Sequence, residues 1–291
     1  MKYENRQAEE GINYSREHPL GQLAKFLIAA VVLLVLVVAL LQVSGAWMAR
    51  LIPFSFEKRV AQHFDDAFGD VPSDSDIELY LNDLADRMMA HMPMPEDMDV
   101  TVNYRDEPVF NAFATIGGNL LFYRELIERM PSENALAMVM AHEIAHILHR
   151  DPISGLGGGV ASTVALLAIV GDSGAASNVL GTAGSLTGVQ FTRGMESRAD
   201  EAALAALNGH YGHVNGAAAL FEIMAEARGS DGDYPSWLER FSSSHPVDDD
   251  RIAAIARHAA DNGWSVTGEL TPLPAGLQRW LDGKVHEEYG L

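Results

Sequence analysis

Ser132-Glu133-Asn134-Ala135-Leu136-Ala137-Met138-Val139-Met140-Ala141-His142-Glu143-Ile144-Ala145-His146-Ile147-Leu148-His149 reads as one long helix. Ser132, directly after Pro131, is placed to cap its first turn. Apolar residues fill most of the stretch, so the helix should lie inside a core. His142 and His146 are four residues apart and share one helix face. Two imidazoles at that spacing can bind one metal ion. Glu143 is turned aside from their face, which suits a base acting on a metal-activated water better than a metal ligand. Two histidines and a charge on an exposed helix would give the same pattern. An apolar helix weighs against that, because burying those groups unpaired is costly. His149, offset by three residues from His146, reads as structural.

A zinc site with two histidines needs a third protein ligand and one open position. Glu196 is the candidate, in Arg193-Gly194-Met195-Glu196-Ser197-Arg198-Ala199-Asp200. Asp200 lies one turn further on and can accept a hydrogen bond from a ligand imidazole, fixing its tautomer. Taken alone, Glu196 and Asp200 also fit a solvated helix face. The chain has no cysteine. Thiolate zinc sites, disulfide frameworks and cysteine nucleophiles are therefore excluded.

The 291 residues carry a net charge of −20 and 48% hydrophobic residues. That composition excludes disorder. A pI near 4.8 argues against a nucleic-acid partner, which would need clustered Lys and Arg. Mean hydropathy is +0.01, a high value beside so much charge, so apolar residues must be concentrated somewhere. They are concentrated at 26–41, inside a run of 24 uncharged residues between Lys25 and Arg50. As a helix that run is about 36 Å long, enough to cross a ~30 Å hydrocarbon core. Trp47 sits where an interfacial aromatic belongs. A cleaved signal peptide is the competing reading, with Ser44-Gly45-Ala46 as its cleavage site. The long n-region, not net positive, favours a retained single-pass anchor. Basic residues flank the run on both sides: Arg16 and Lys25 before it, Arg50, Lys58 and Arg59 after it. They set no orientation. Two Gly-rich uncharged stretches, from Asp151 to Asp172 and from Asp172 to Arg193, read as a hairpin that moves or dips into the membrane, with a second span as the alternative.

Along the rest of the chain, Ile77, Leu81, Leu84 and Met88 mark an amphipathic helix capped by Asp74 or Ser75. Residues 99–104 alternate as a strand. Asn111–Thr115 and Asn119–Tyr123 flank Gly117-Gly118 as a β-hairpin. Further helices are expected at Thr192–Leu207, ended by Asn208-Gly209, then at Gly212–Arg228 and Asp248–Asn262. The class is α+β, mainly α-helical. The expected organisation is a tail (1–25), an anchor (26–49), a juxtamembrane linker (50–73), a main folded domain (74–262) and a C-terminal extension (263–291).

His142-Glu143-x-x-His146 followed by Glu196-x-x-x-Asp200 resembles the zinc metallopeptidases of family M48. These are HExxH enzymes of gluzincin type, and they include CAAX-prenyl endopeptidases, HtpX-type membrane proteases and organellar and periplasmic quality-control proteases. Two further segments carry the likeness. Asn111-Ala112-Phe113-Ala114 with Gly117-Gly118 is similar to the family's hairpin, and Ser244-His245-Pro246 with Arg251-Ile252 is similar to its downstream His-Pro segment. Ile116 replaces the hairpin's usual proline, and Tyr123-Arg124-Glu125 replaces its Gly-Leu. The likeness spans about residues 74–260. It implies a gluzincin-like domain with one Zn2+ on His142, His146 and Glu196, and Glu143 as general base. It also implies His245 near the metal, as oxyanion donor or as fourth ligand of an idle site. Asn111, Ala112 and Phe113 would lie on a strand edge where an extended substrate pairs. The implied partners are polypeptide substrates, unfolded or damaged, and the membrane through the anchor. If the chain is bacterial, the anchor would sit in the inner membrane with the domain facing the periplasm. A latent chaperone or scaffold with a plugged zinc site is the alternative. A peptidase for prenylated peptides would need many membrane helices, and this chain has one long apolar run.

Overall fold

The computed structural model describes residues 19–61, 75–158, 191–227, 235–245 and 251–282. Residues 1–18 of the expected tail lie outside them, as do most of the Gly-rich region and Pro246, while residues 19–25 already belong to the first helix.

The first helix, α1 (Pro19–Ala49), contains the apolar run. Among the described residues it alone is long and apolar enough to cross a membrane. Most of its large side chains are exposed, from Leu23 and Phe26 to Trp47 and Met48. A soluble core helix would bury them. The segment expected as a linker contains α2 (Phe54–Ala61), which packs on the hairpin turn.

Helix α3 (Asp76–Met89) is capped by Ser75, whose side chain accepts from the Glu78 amide. Its buried stripe is Ile77, Leu81, Leu84 and Met88. Three strands follow: β1 (Thr101–Arg105), β2 (Ala112–Ala114) and β3 (Asn119–Tyr123). Their order is β1-β3-β2. Strand β1 runs parallel to β3 with Thr101 opposite Asn119, and β2 runs antiparallel to β3 with Phe113 opposite Leu121. The hairpin therefore forms as expected, through a tight 3₁₀ turn at Ile116–Gly118. Gly117 and Gly118 hold φ of 76° and 86° there, a region open to glycine at little cost. Gly118 also has no room for a Cβ, which would collide with the Asp99 carbonyl. Strand β2 is a sheet edge, with its residues buried against the central helix.

After α4 (Arg124–Arg129) comes the central helix α5 (Glu133–Leu148), the run quoted at the outset. Ser132 caps it by accepting from the Ala135 amide, and every residue from Glu133 to Ile147 is buried. Helix α6 (Arg193–Tyr211) packs along it. Ala199, Ala203 and Ala206 are fully buried on α6, and such small side chains permit close approach of two helices. A helical stretch at 151–158 and helices α7 (Ala219–Ala227), α8 (Ser236–Ser244), α9 (Arg251–Asp261) and α10 (Leu277–Asp282) complete the described structure.

Two helix boundaries differ from expectation. Helix α6 passes through Asn208-Gly209 and ends at Gly212, which has φ 76°. Gly209 serves packing instead: a Cβ there would sit 2.8 Å from His91 Nδ1. The helix expected from Gly212 starts at Ala219, because Gly212 and Gly216 both hold positive φ.

Candidate metal centre

Helix α5 supplies two inward imidazoles, and hydrogen bonds on their far sides set how they face. His142 Nδ1 lies 2.9 Å from Asp200 Oδ1. His146 Nδ1 lies 3.0 Å from Asp151 Oδ2. With both Nδ1–H groups donating outward, each Nε2 lone pair points inward, and the two Nε2 atoms are 3.1 Å apart.

Helix α6 brings Glu196 to the same point. Thr192 caps α6, which places Glu196 in its first turn, where the helix dipole favours a carboxylate. Its two oxygens lie 3.4 Å from His142 Nε2 and 3.4 Å from His146 Nε2. His245, at the end of α8, has Nδ1 3.1 Å from Glu196 Oε1. One atom from each of His142, His146, Glu196 and His245 lies within 4.8 Å of the others, and all four residues are buried.

The donors fit a small divalent cation. Ligand bonds of ~2.0–2.1 Å in a tetrahedron imply donor–donor edges of about 3.3 Å, and the spacings among His142, His146 and Glu196 are 3.1–3.4 Å. Nitrogen and carboxylate donors without sulfur suit zinc among other metals. Two buried atoms point the same way. Among the described residues, Glu143 Oε2 and His245 Nε2 have no hydrogen-bond partner. Buried polar groups left so are costly unless a ligand or water meets them. Glu143 Oε1 stands 3.4 Å from His245 Nε2, so the two side chains with orphaned atoms lie next to each other.

Charge is balanced from outside the cluster. Arg251, the first residue of α9, donates to Asp200 at 2.9 and 2.7 Å and to Glu196 at 2.8 Å. Its guanidinium also lies 4.5 Å from the centre of the Phe221 ring. Burial works against a charged His142, but Asp200 and Glu196 outweigh it and raise its pKa to about 10. His146 is raised too, against burial, by Asp151 and Glu196. Burial opposes ionisation of Glu196, yet His245, His142 and His146 hold its carboxyl far below the ordinary range. The negative potential that keeps protons on these imidazoles would equally favour a cation in their place.

Aromatic rings shield the cluster from water. Phe191 stacks on His146 at 3.9 Å between ring centres, and Phe241 stacks on His245 at 5.3 Å. On the Glu143 side is a small pocket lined by Met138, Val139, Leu220 and Phe221 among others.

Six of the residues singled out in the sequence thus meet: His142, Glu143, His146, Glu196, Asp200 and His245. Asn111, Ala112 and Phe113 stand apart from them, at β2. The neighbouring Phe110 links that strand to the His245 helix through ring contacts with Trp237 and Phe241. His149 is the C-cap of α5 and not part of the cluster. Two residues that contact the cluster escaped the sequence reading. Asp151 lies beyond the helix end and returns to His146 because Arg150 takes a left-handed φ of 60°. Arg251 appeared only as part of a resemblance, without its carboxylate partners.

Comparison with known proteins agrees with this geometry. The model of peptidase family M48 matches residues 75–259. The chain belongs to peptidase family M48. It is 31% identical over 216 residues to the mitochondrial metalloendopeptidase OMA1 of Schizosaccharomyces pombe, covering 70% of this chain and 61% of that protein. It is 29% identical over 198 residues to a protein named beta-barrel assembly-enhancing protease in Vibrio cholerae, covering 62% and 39%. The chain thus spans less than two thirds of either M48 relative.

Proposed function

We propose that this M48 member is a membrane-anchored zinc metalloendopeptidase that cleaves unfolded or damaged membrane and envelope proteins. The observation that carries the reading is the buried His142–His146–Glu196 group with Glu143 Oε2 unpartnered beside it. Those three residues would hold the zinc. When bound, zinc supplies Lewis acidity, polarising the scissile carbonyl and making water acidic enough to react near neutral pH. Glu143 takes the proton of the attacking water and delivers it to the leaving amine. His245, next to Glu143, donates from Nε2 to the oxyanion as the carbonyl becomes tetrahedral. Asp200 and Asp151 keep the two imidazoles oriented, and Arg251 keeps Glu196 and Asp200 ionised. The outer edge of β2 offers backbone pairing to an extended chain, and such pairing tolerates many sequences. Helix α1 would cross the membrane once; in a bacterium it would sit in the inner membrane with the domain facing the periplasm.

Glu143→Gln should retain zinc and lose cleavage of an unfolded casein by at least 10³-fold, from loss of the general base and its orientation of water. Casein cleavage at the wild-type rate in this variant sinks the mechanism. A latent, zinc-plugged chaperone is the second reading, favoured by His245 Nδ1 lying 3.1 Å from Glu196 Oε1, a spacing that suits two ligands of one metal ion. Faster turnover in His245→Ala than in wild type would support a plugged site, whereas slower turnover supports the oxyanion role. Digestion of intact and opened cells with an added protease would report which side the domain faces.

A further inference from the structure

Arg50 is the first residue past α1 and the first charge after 24 uncharged residues. A single carboxylate connects it to His146. Asp151 is fully buried. Its Oδ2 lies 3.0 Å from His146 Nδ1, while its Oδ1 lies 3.4 Å from Arg50 Nη2 and 3.3 Å from Arg198 Nη2. The Arg50 fork is held on its other arm, where Nε donates to buried Ser154 Oγ at 2.8 Å. An unpaired carboxylate at that depth would be costly. Arg198, from α6, and Arg50, from the end of the anchor, supply the compensating charge.

A separate set of contacts fixes where Arg50 stands. The helical stretch 151–158 lies directly against the last turns of α1. A Cβ on Gly157 would come within 2.6 Å of Ala49 Cβ and 2.7 Å of the Gly45 carbonyl, and one on Gly158 within 3.3 Å of the Gln42 carbonyl. Small residues on both sides let the backbones touch, as in tightly packed membrane helices. Just beyond Arg50, the Ile52 carbonyl accepts from Arg150 Nη2 at 2.8 Å, and Glu57 pairs with the same guanidinium at 2.6 Å. The end of the anchor is thus clamped on both sides of Arg50 to the segment that follows the His142–His146 helix.

We infer that Arg50 is a positioning residue through which the anchor helix holds the Asp151 carboxylate, and so the His146 ring, in its metal-binding orientation. The inference rests on the zinc peptidase reading above. It makes the anchor part of the metal centre's support and not only a tether. A slide of α1 by one helical turn, about 5.4 Å, would carry Arg50 out of reach of Asp151. Metal affinity would then depend on how α1 is seated in the bilayer.

The test uses the full chain in lipid nanodiscs and measures zinc affinity by competition with a chromogenic chelator. Thermal unfolding in excess chelator serves as the control for general damage. Arg50→Gln should weaken zinc binding about tenfold or more, the range for loss of an outer partner of a ligand histidine. Arg50→Lys should recover part of that loss. Gly157→Leu, which touches neither the ligands nor Asp151, should weaken zinc binding in the same direction by pushing α1 away. Wild-type zinc affinity in Arg50→Gln overturns the inference. So does an affinity loss matched by an equal fall in the chelated protein's melting temperature, which would mark Arg50 as a general structural residue. Unchanged affinity leaves the peptidase reading intact. Casein cleavage retained in Glu143→Gln would remove the peptidase reading and leave the zinc result standing.

Discussion

Replacing Arg251 with methionine tests how the centre's charges are balanced. Arg251 makes three short hydrogen bonds to two buried carboxylates, at 2.7, 2.8 and 2.9 Å, and its side chain is only 10% exposed. Methionine fills similar space against Phe221 and supplies no charge. Glu196 and Asp200 then share three imidazoles, His142, His146 and His245, and no fixed cation. Truncating one partner of a buried pair costs about 3–5 kcal/mol, most of it from the carboxylates left behind. For a chain of this size that is a fall of roughly 6–20 °C in melting temperature. Zinc replaces part of the missing positive charge at Glu196, so the loss should be smaller with zinc than in chelator. The assay is thermal unfolding of wild type and Arg251→Met in detergent, each with excess zinc and with excess chelator. A melting temperature within 2–3 °C of wild type in chelator would refute the reasoning, as would an equal loss in both conditions.

Zinc affinity should also rise with pH. His142 keeps its proton to about pH 10 and His146 is raised as well, so zinc must displace protons, and apparent affinity should climb about tenfold per pH unit for each one displaced; a chelator titration flat between pH 6 and 8 would contradict this. Glu133 accepts from Arg87, Tyr211 and Tyr80, which lower its carboxyl below 4.5 although burial opposes them. Its stabilising contribution is therefore present above pH 4.5 and disappears as pH falls through the lowered value. Glu133→Gln should lose about 2 kcal/mol at pH 7 and show a flatter acid limb in denaturation followed from pH 7 to pH 3. Gly118→Ala places a Cβ against the Asp99 carbonyl at a φ of 86° and should cost about 2 kcal/mol or more in urea unfolding.

What the sequence made legible was local. The caps at Ser75 and Ser132, the Gly117-Gly118 turn and the His142–His146 spacing each rest on residues a few positions apart. Backbone geometry fixes such features before any tertiary contact forms. Features decided at a distance were not legible. Asn208-Gly209 looks like a helix stop, yet Gly209 is needed where the backbone passes His91, and α6 runs on to Gly212. Asp151 reaches His146 only through the left-handed turn at Arg150. Arg150 is held there by Glu57 and the Ile52 carbonyl, about a hundred residues earlier in the chain. Arg251 lies more than fifty residues from both of its carboxylate partners, and no periodicity links them.

Glu143 carries an evolutionary consequence. Its Oε2 holds no hydrogen bond that the fold relies on, so under the proposed mechanism catalysis can be lost here without loss of architecture. One nucleotide change converts a glutamate codon to glutamine. The result would be a folded, metal-loaded, membrane-seated pseudoenzyme that still displays its β2 edge to extended chains. Glu196 offers no such path, because its carboxylate meets His142, His146, His245 and Arg251 at once. A lineage drifting from cutting to holding polypeptides would therefore change at residue 143 and keep residue 196.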